Sequence, residues 1–255
     1  MDLRANIDQS MSQILYAAVG ARRAMVHNFV EGQIGRIVQD GPFAGMVLTS
    51  ESSWDAHGDK TAKLLGFYEE EIYPSLEDAI AAEPDLAINV GCAEGFYAIG
   101  LARRLPNARV IASDIDARAH EVCARSASVN YVATRLQIVG GLDAAGLNEL
   151  IGSAAKPFVF MDCEGAEMEL LDPVIAPALV RTRFLVELHD FANEAITPVL
   201  TGRFSQTHDL TFIAEGPRDP NRSPILAKLN SLDRWLAVCE NRPQQMSWLY
   251  AVPKS

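Results

Sequence analysis

The stretch Ala87-Ile88-Asn89-Val90-Gly91-Cys92-Ala93-Glu94-Gly95-Phe96-Tyr97 decides the reading of this chain. An apolar run enters a loop that holds Gly91 and Gly95, and a helical segment follows. Such a loop lets backbone come close to a ligand and aims the amides of a helix N-terminus at it. The small Ala93 keeps the same surface open. The next apolar run, Val110-Ile111-Ala112-Ser113, ends in Asp114, 19 residues beyond Gly95. An acid at the tip of the second strand is placed to accept hydrogen bonds from both hydroxyls of a ribose. Both features converge at the carboxyl edge of adjacent strands, where open α/β sheets bind ligands. A plain strand–turn–helix accounts for the glycines but not for an acid at that distance.

Working outward, short apolar runs alternate with amphipathic segments. The runs are Leu86–Val90, Val110–Ala112, Leu136–Val139, Phe158–Met161 and Phe184–Leu188. Between them lie Ala98–Leu105, Ala117–Ala127 and Ala166–Leu171. This alternation predicts a parallel sheet with helices on both faces, and runs apolar throughout suit strands buried on both sides. Further on, Leu210–Ala214 and Met246–Val252 read as strands, and Ile225, Leu229, Leu232 and Leu236 mark a helix between them. No internal repeat or low-complexity segment is present.

The first 84 residues are of a different kind. Leu15, Val19, Val26, Val30, Ile34 and Ile37 share one helical face, while Gly20, Gly32 and Gly35 are candidate breaks. This helical part is expected to cover the core or to form a homodimer contact. Residues 40–60, with Gly41-Pro42, Gly45, a Ser-rich stretch and Gly58, read as loop. A helix is expected from Tyr68 to Ala82, with Leu76 and Ile80 one turn apart. The chain thus divides into an extension, 1–84, and an α/β domain, 85–255.

Composition narrows the partners. The 33 acidic and 22 basic residues give a formal net charge of -11. Such a surface repels phosphate backbones, so nucleic acid is not expected as a partner. Cys92, Cys123, Cys163 and Cys239 show no C-x-x-C spacing, which removes support for a zinc site and reads as reduced cytosolic thiols. With Asp2 and Asp8 and no long apolar run, the N-terminus does not read as a signal peptide, and no stretch is long enough to span a bilayer. A soluble, cytoplasmic protein without a membrane partner is the expectation.

The loop spacing separates two nucleoside cofactors. The dinucleotide fingerprint G-x-G-x-x-G, begun at Gly91, requires glycine where Ala93 and Phe96 stand. The spacing here is G-x-x-x-G, the looser pattern expected for S-adenosylmethionine, which has no pyrophosphate to cradle.

Three segments carry a resemblance. Asn89-Val90-Gly91-Cys92-Ala93-Glu94-Gly95 is similar to the first motif of class I S-adenosylmethionine-dependent methyltransferases. Phe160-Met161-Asp162-Cys163-Glu164-Gly165-Ala166-Glu167 resembles the I-D-x-E-G-x-E signature of the FkbM-type family, and Phe184-Leu185-Val186-Glu187-Leu188-His189 resembles its L-V-E-x-H strand. The resemblance covers about residues 85–215. It implies a Rossmann-like sheet of seven mostly parallel strands, in the order 3-2-1-4-5-7-6 with the last antiparallel, and a cofactor held by Asn89, Gly91, Cys92, Ala93, Glu94, Gly95 and Asp114. Two features depart from the family. Asn89 stands where many class I enzymes have an acid, and the extension is unexplained. Within the extension, Lys63-Leu64-Leu65-Gly66-Phe67-Tyr68-Glu69 reads as a pocket lid or as a loop entering a helix.

The chemistry expected is methyl transfer to a small-molecule hydroxyl of a sugar or natural product. Asp162 is expected to contact the methionine amino group or the acceptor. Glu164 is expected to orient the acceptor or act as base. Helix capping is the structural alternative for both. His189, with an ordinary pKa of about 6.5, is the third candidate base; His27 and His208 read as structural. Ile115 and the end of the third strand, Gly141-Leu142, are expected at the adenine, with core packing the alternative for Ile115. Asp162, Glu187 and Asp190 invite Mg²⁺, which the sequence does not require. An amine acceptor, or a cofactor-binding interaction protein without turnover, are the competing functions.

Overall fold

The computed structural model describes residues 3–51 and 59–254, and side chains from residue 11 onward within these limits. Ser52, Ser53 and Gly58 of the expected loop, Asp2 and the side chain of Asp8 lie outside the described residues.

The elements are α1 (Leu3–Ile34), α2 (Lys60–Leu65), α3 (Tyr73–Ala81), β1 (Leu86–Val90), α4 (Phe96–Arg104), β2 (Arg109–Ser113), α5 (Ala117–Val129), β3 (Leu136–Val139), α6 (Ala144–Ile151), β4 (Pro157–Met161), α7 (Glu167–Leu170), β5 (Arg183–Leu188), α8 (Ile196–Phe204), β6 (His208–Ala214), α9 (Ser231–Val238) and β7 (Ser247–Pro253). The seven strands form one sheet in the order β3-β2-β1-β4-β5-β7-β6. The pairs from β3 to β5 are parallel, and β7 runs antiparallel to both β5 and β6. This is the expected order. Leu86–Val90 pairs with Arg109–Ser113 on one side and Pro157–Met161 on the other, so three loop-bearing strand tips end side by side.

Side-chain alternation along the strands builds a core on each face. Leu86, Ile88 and Val90 of β1 join Val159, Met161, Leu200 and Phe204 on one face. Ala87 turns to the other face with Phe158, Phe160 and Trp248. That second core also contains Val26, Val30, Phe43, Phe67 and Leu76. The N-terminal extension is therefore part of the sheet's own packing.

Several expectations need correction. α1 runs through Gly20 and Gly32 without a break, because tertiary packing of Val26 and Val30 holds its C-terminal half. It stops at Gly35, in the left-handed region at φ 65°. Only that half is buried: Val26 and Val30 are 3% and 0% exposed, whereas Leu15, Met11, Ile14 and Tyr16 are 60–71% exposed. The helix expected from Tyr68 begins later. Glu70–Ile72 is a 3-10 turn, and Pro74 lies in the first turn of α3, where its missing amide costs nothing. Ile225 lies in a 3-10 turn begun by Pro224, and Leu229 lies beyond it. The helix proper starts at Ser231, where the Asn230 side chain accepts from the Asp233 amide. The short helices α2, α6 and α8 were not expected, and α2 takes up Lys63-Leu64-Leu65 of the stretch read as a lid or a loop. No helix among the described residues is long and apolar enough to cross a membrane.

Candidate functional site

The carboxyl ends of β1, β2, β4 and β5 open into a cavity of about 660 Å³, closed from the other side by residues 59–69 and 240–246. At its centre the chain leaves β1 through Gly91, at φ 75°. A Cβ there would fall 1.5 Å from the Asp162 carbonyl oxygen, so only glycine lets the tips of β1 and β4 approach this closely. The amides of Gly91 and Cys92 both donate to the Ser113 carbonyl, at 2.9 and 3.0 Å, and tie the loop to β2.

Asp114 is fixed by two backbone donors. The Ala93 amide reaches Oδ2 at 2.8 Å and the Asp116 amide reaches Oδ1 at 2.9 Å. Each oxygen keeps acceptor capacity for a further hydrogen bond, because a carboxylate oxygen has two lone pairs. Beside it, Ile115 is 93% exposed and is no core residue. A Cβ on Gly141 would fall 2.7 Å from Ile115 Cγ2, so glycine clears the space against that apolar surface. Ile115, Gly141 and Leu142 form one end of the cavity.

Asp162, Glu164 and His189 meet at the other end, on the tips of β4 and β5. The His189 side chain is 2% exposed. Its Nε2 lies 3.6 Å from Asp162 Oδ1, 3.5 Å from Glu164 Oε2 and 3.7 Å from Glu187 Oε2. Its Nδ1 lies 2.6 Å from Glu167 Oε1, the fully buried first residue of α7. A carboxylate there demands a proton on Nδ1 and leaves Nε2 as the basic nitrogen toward the cavity. Burial acts to lower the His189 pKa, but the Glu167 hydrogen bond and the charges of Asp162, Glu167 and Glu164 outweigh it and raise it above the ordinary value. Asp162 Oδ1 has no hydrogen-bond partner.

Behind these groups lies a charge cluster not foreseen as such. Arg242 pairs with Glu187, with Glu69 at 2.7 Å and with Glu240 at 2.9 Å. Glu69 also receives the Tyr97 hydroxyl. Burial, against the pull of Arg242, pushes the Glu69 pKa up to about 8. Burial likewise holds Glu187 well above the carboxylate range.

The cavity is lined by Gly91, Ala93, Glu94, Asp114, Ile115, Gly141, Leu142, Asp162, Glu164 and His189. Three expected cofactor contacts are placed differently. Asn89, 1% exposed, sits on the sheet face it shares with its register partners Ala112 and Phe160, with Oδ1 unpartnered. Cys92 is buried beside Cys123 and Ala98. Gly95, at φ 88°, turns the chain into α4, with Cys123 Sγ 2.7 Å from where its Cβ would be. None of the three lines the cavity. The Mg²⁺ set also changes, because Asp190 accepts from the Thr197 amide and hydroxyl at 3.0 and 2.6 Å and caps α8. Carboxylate and imidazole atoms of Asp162, Glu164 and His189, or of Glu69, Asp162 and Glu187, lie within 4.8 Å of one another. In the second group the Arg242 guanidinium already supplies the cation.

Residues that sequence reasoning passed over are Glu167, Glu240 and Arg242. Glu167 stood inside a quoted motif without a role. Arg242 follows Asn241, at φ 54°, and precedes Pro243, a turn signature that says nothing of what the loop meets across the fold.

No protein-family model and no curated protein matches the chain. Among solved structures, the chain is similar to cofactor-bound Rv0187 from MTB, at 16% identity over 71% of this chain and 79% of that one, with a TM-score of 0.49. It is similar to the O-methyltransferase TomG from Streptomyces achromogenes in complex with SAM, at 12% identity over 72% and 81%, with a TM-score of 0.47. An O-methyltransferase from Bacillus cereus in complex with SAH shares 13% identity over 79% and 98%, also at 0.47.

Proposed function

We propose that this chain is an S-adenosylmethionine-dependent methyltransferase of FkbM type that methylates a hydroxyl of a small molecule. The observation that carries the reading is Asp114, its carboxylate pinned by the Ala93 and Asp116 amides beside the Gly91 turn. That arrangement suits a ribose diol, and the apolar slot of Ile115 and Leu142 suits an adenine. The cofactor, when bound, supplies a methyl group already activated on a sulfonium.

The protein's own work is then alignment and proton removal. His189 Nε2 takes the proton of the acceptor hydroxyl. Glu167 holds the imidazole in the tautomer that can do so and stabilises the imidazolium that results. Asp162 and Glu164 flank the same nitrogen and orient the acceptor. The Arg242 cluster walls the site and keeps Glu187 and Glu69 in place.

One observation favours a second reading. The acceptor end gathers Glu69, Asp162, Glu164, Glu187 and Glu240, and although Arg242 and Arg218 hold Glu69, Glu187 and Glu240, the excess of carboxylates suits an amine acceptor. His189→Ala separates the two readings. Loss of methyl transfer by two or more orders of magnitude fits a hydroxyl; near-full retention fits an amine, whose excess proton any of the surrounding carboxylates can take.

The cofactor class is tested by titrating the chain with S-adenosylhomocysteine and with NAD. Binding of the first alone supports the reading. Binding of NAD alone overturns it.

A further inference from the structure

Lys63 comes from α2, in the segment that precedes the α/β domain, yet its ammonium lies 2.6 Å from Glu94 Oε1 of the glycine loop. Both side chains are nearly buried, 10% and 14% exposed, and both line the cavity. The ammonium also stands over the Tyr68 ring, 4.5 Å from its centroid. Taking two charges out of water costs more than a surface pair recovers, so such a pair is weak as a device for stability. Its place in the cavity wall calls for another use.

The cavity's other cations are engaged elsewhere. Lys60 donates to the Ser50 carbonyl at 2.6 Å, and Arg242 is held by three carboxylates. Lys63 has one carboxylate partner and three N–H donors, which leaves donors for a second anion. Asp114 fixes one end of a nucleoside in the cavity. The rest of that ligand must extend along the glycine loop, toward Glu94 and Asp162.

We propose that Lys63 binds the carboxylate of the cofactor's amino-acid end, with Glu94 holding the ammonium of Lys63 in position. This rests on the methyltransferase reading. The segment 59–69 is then a piece of the cofactor site and not an accessory cover. The amino group of the same ligand end falls to Asp162, whose Oδ1 lacks a hydrogen-bond partner.

The test compares two ligands that differ only at that end. S-adenosylhomocysteine carries the amino acid, and 5′-methylthioadenosine does not. In Lys63→Met, affinity for S-adenosylhomocysteine falls about tenfold to a hundredfold, the range of a lost charge-assisted hydrogen bond. Affinity for 5′-methylthioadenosine stays at the wild-type value, which also shows that the variant is folded. Lys63→Arg keeps the preference for the longer ligand. Equal loss for both ligands, or no loss for either, overturns the inference while leaving the methyltransferase reading intact. Failure of the wild type to bind S-adenosylhomocysteine overturns that reading itself.

Discussion

His189 Nδ1 lies 2.6 Å from Glu167 Oε1, inside the protein, while the other ring nitrogen faces three carboxylates across the cavity. The buried carboxylate sets the tautomer, and the surrounding charges favour the imidazolium. As a base, His189 must be neutral. Activity therefore rises with pH through a value above about 6.5, the ordinary histidine pKa. Glu167→Gln removes the negative charge at Nδ1 and moves that inflection to lower pH, with a loss of kcat. A pH profile of kcat/KM for both proteins checks this, and an unmoved inflection contradicts it. Stability runs the opposite way to activity. With its folded pKa raised, His189 contributes stability that is fully present below about pH 6.5 and lost as pH rises through the folded value.

Gly91 and Gly140 make a matched pair of substitutions. Alanine at Gly91 places a methyl 1.5 Å from the Asp162 carbonyl oxygen, in a left-handed backbone conformation. Its cost is about 3 kcal/mol or more in chemical denaturation. Alanine at Gly140 meets nothing within 4 Å and should cost less than about 0.5 kcal/mol. Equal costs would contradict the close approach of β1 and β4.

Ile115 is 93% exposed and contributes nothing to the core. Ile115→Ser should leave the melting temperature within about 1 °C and weaken nucleoside binding about tenfold by removing the apolar wall of the adenine slot. Unchanged affinity would place the adenine elsewhere.

The first half of α1 carries Met11, Ile14, Leu15 and Tyr16 on its surface, each at least 60% exposed. Exposed apolar side chains in a contiguous stretch mark association surfaces. Light scattering should show a dimer for the wild type and a monomer when these four are replaced by serine. A monomeric wild type removes the homodimer expected from the N-terminal helix.

What the sequence made legible was local or periodic. The five apolar runs became the parallel strands, four of them because burial on both faces leaves little room for polar positions, while the edge strand β3 is only half-buried, and the G-x-x-x-G turn and Asp114 lie together at one end of the cavity. What escaped depends on chain segments meeting across the fold. Arg242 reaches Glu69 over a separation of 173 residues, and Lys63 reaches Glu94 over 31. No periodicity encodes such partners. Asn89 and Gly95 lie inside the most informative motif, yet one packs within the sheet and the other turns the backbone into α4, away from the cavity lining. The continuous helix through Gly20 and Gly32 reflects tertiary packing of Val26 and Val30 overriding a modest propensity cost.

On the proposed reading, Asp114 holds the ribose of S-adenosylmethionine. Calorimetric titration with S-adenosylhomocysteine, on the wild type and on Asp114→Ala, tests it most directly. The expected result is micromolar binding by the wild type, on the order of -8 kcal/mol, and its near-complete loss in the variant with folding unchanged. Equal affinity in the two proteins, or no binding by a folded wild type, would contradict it.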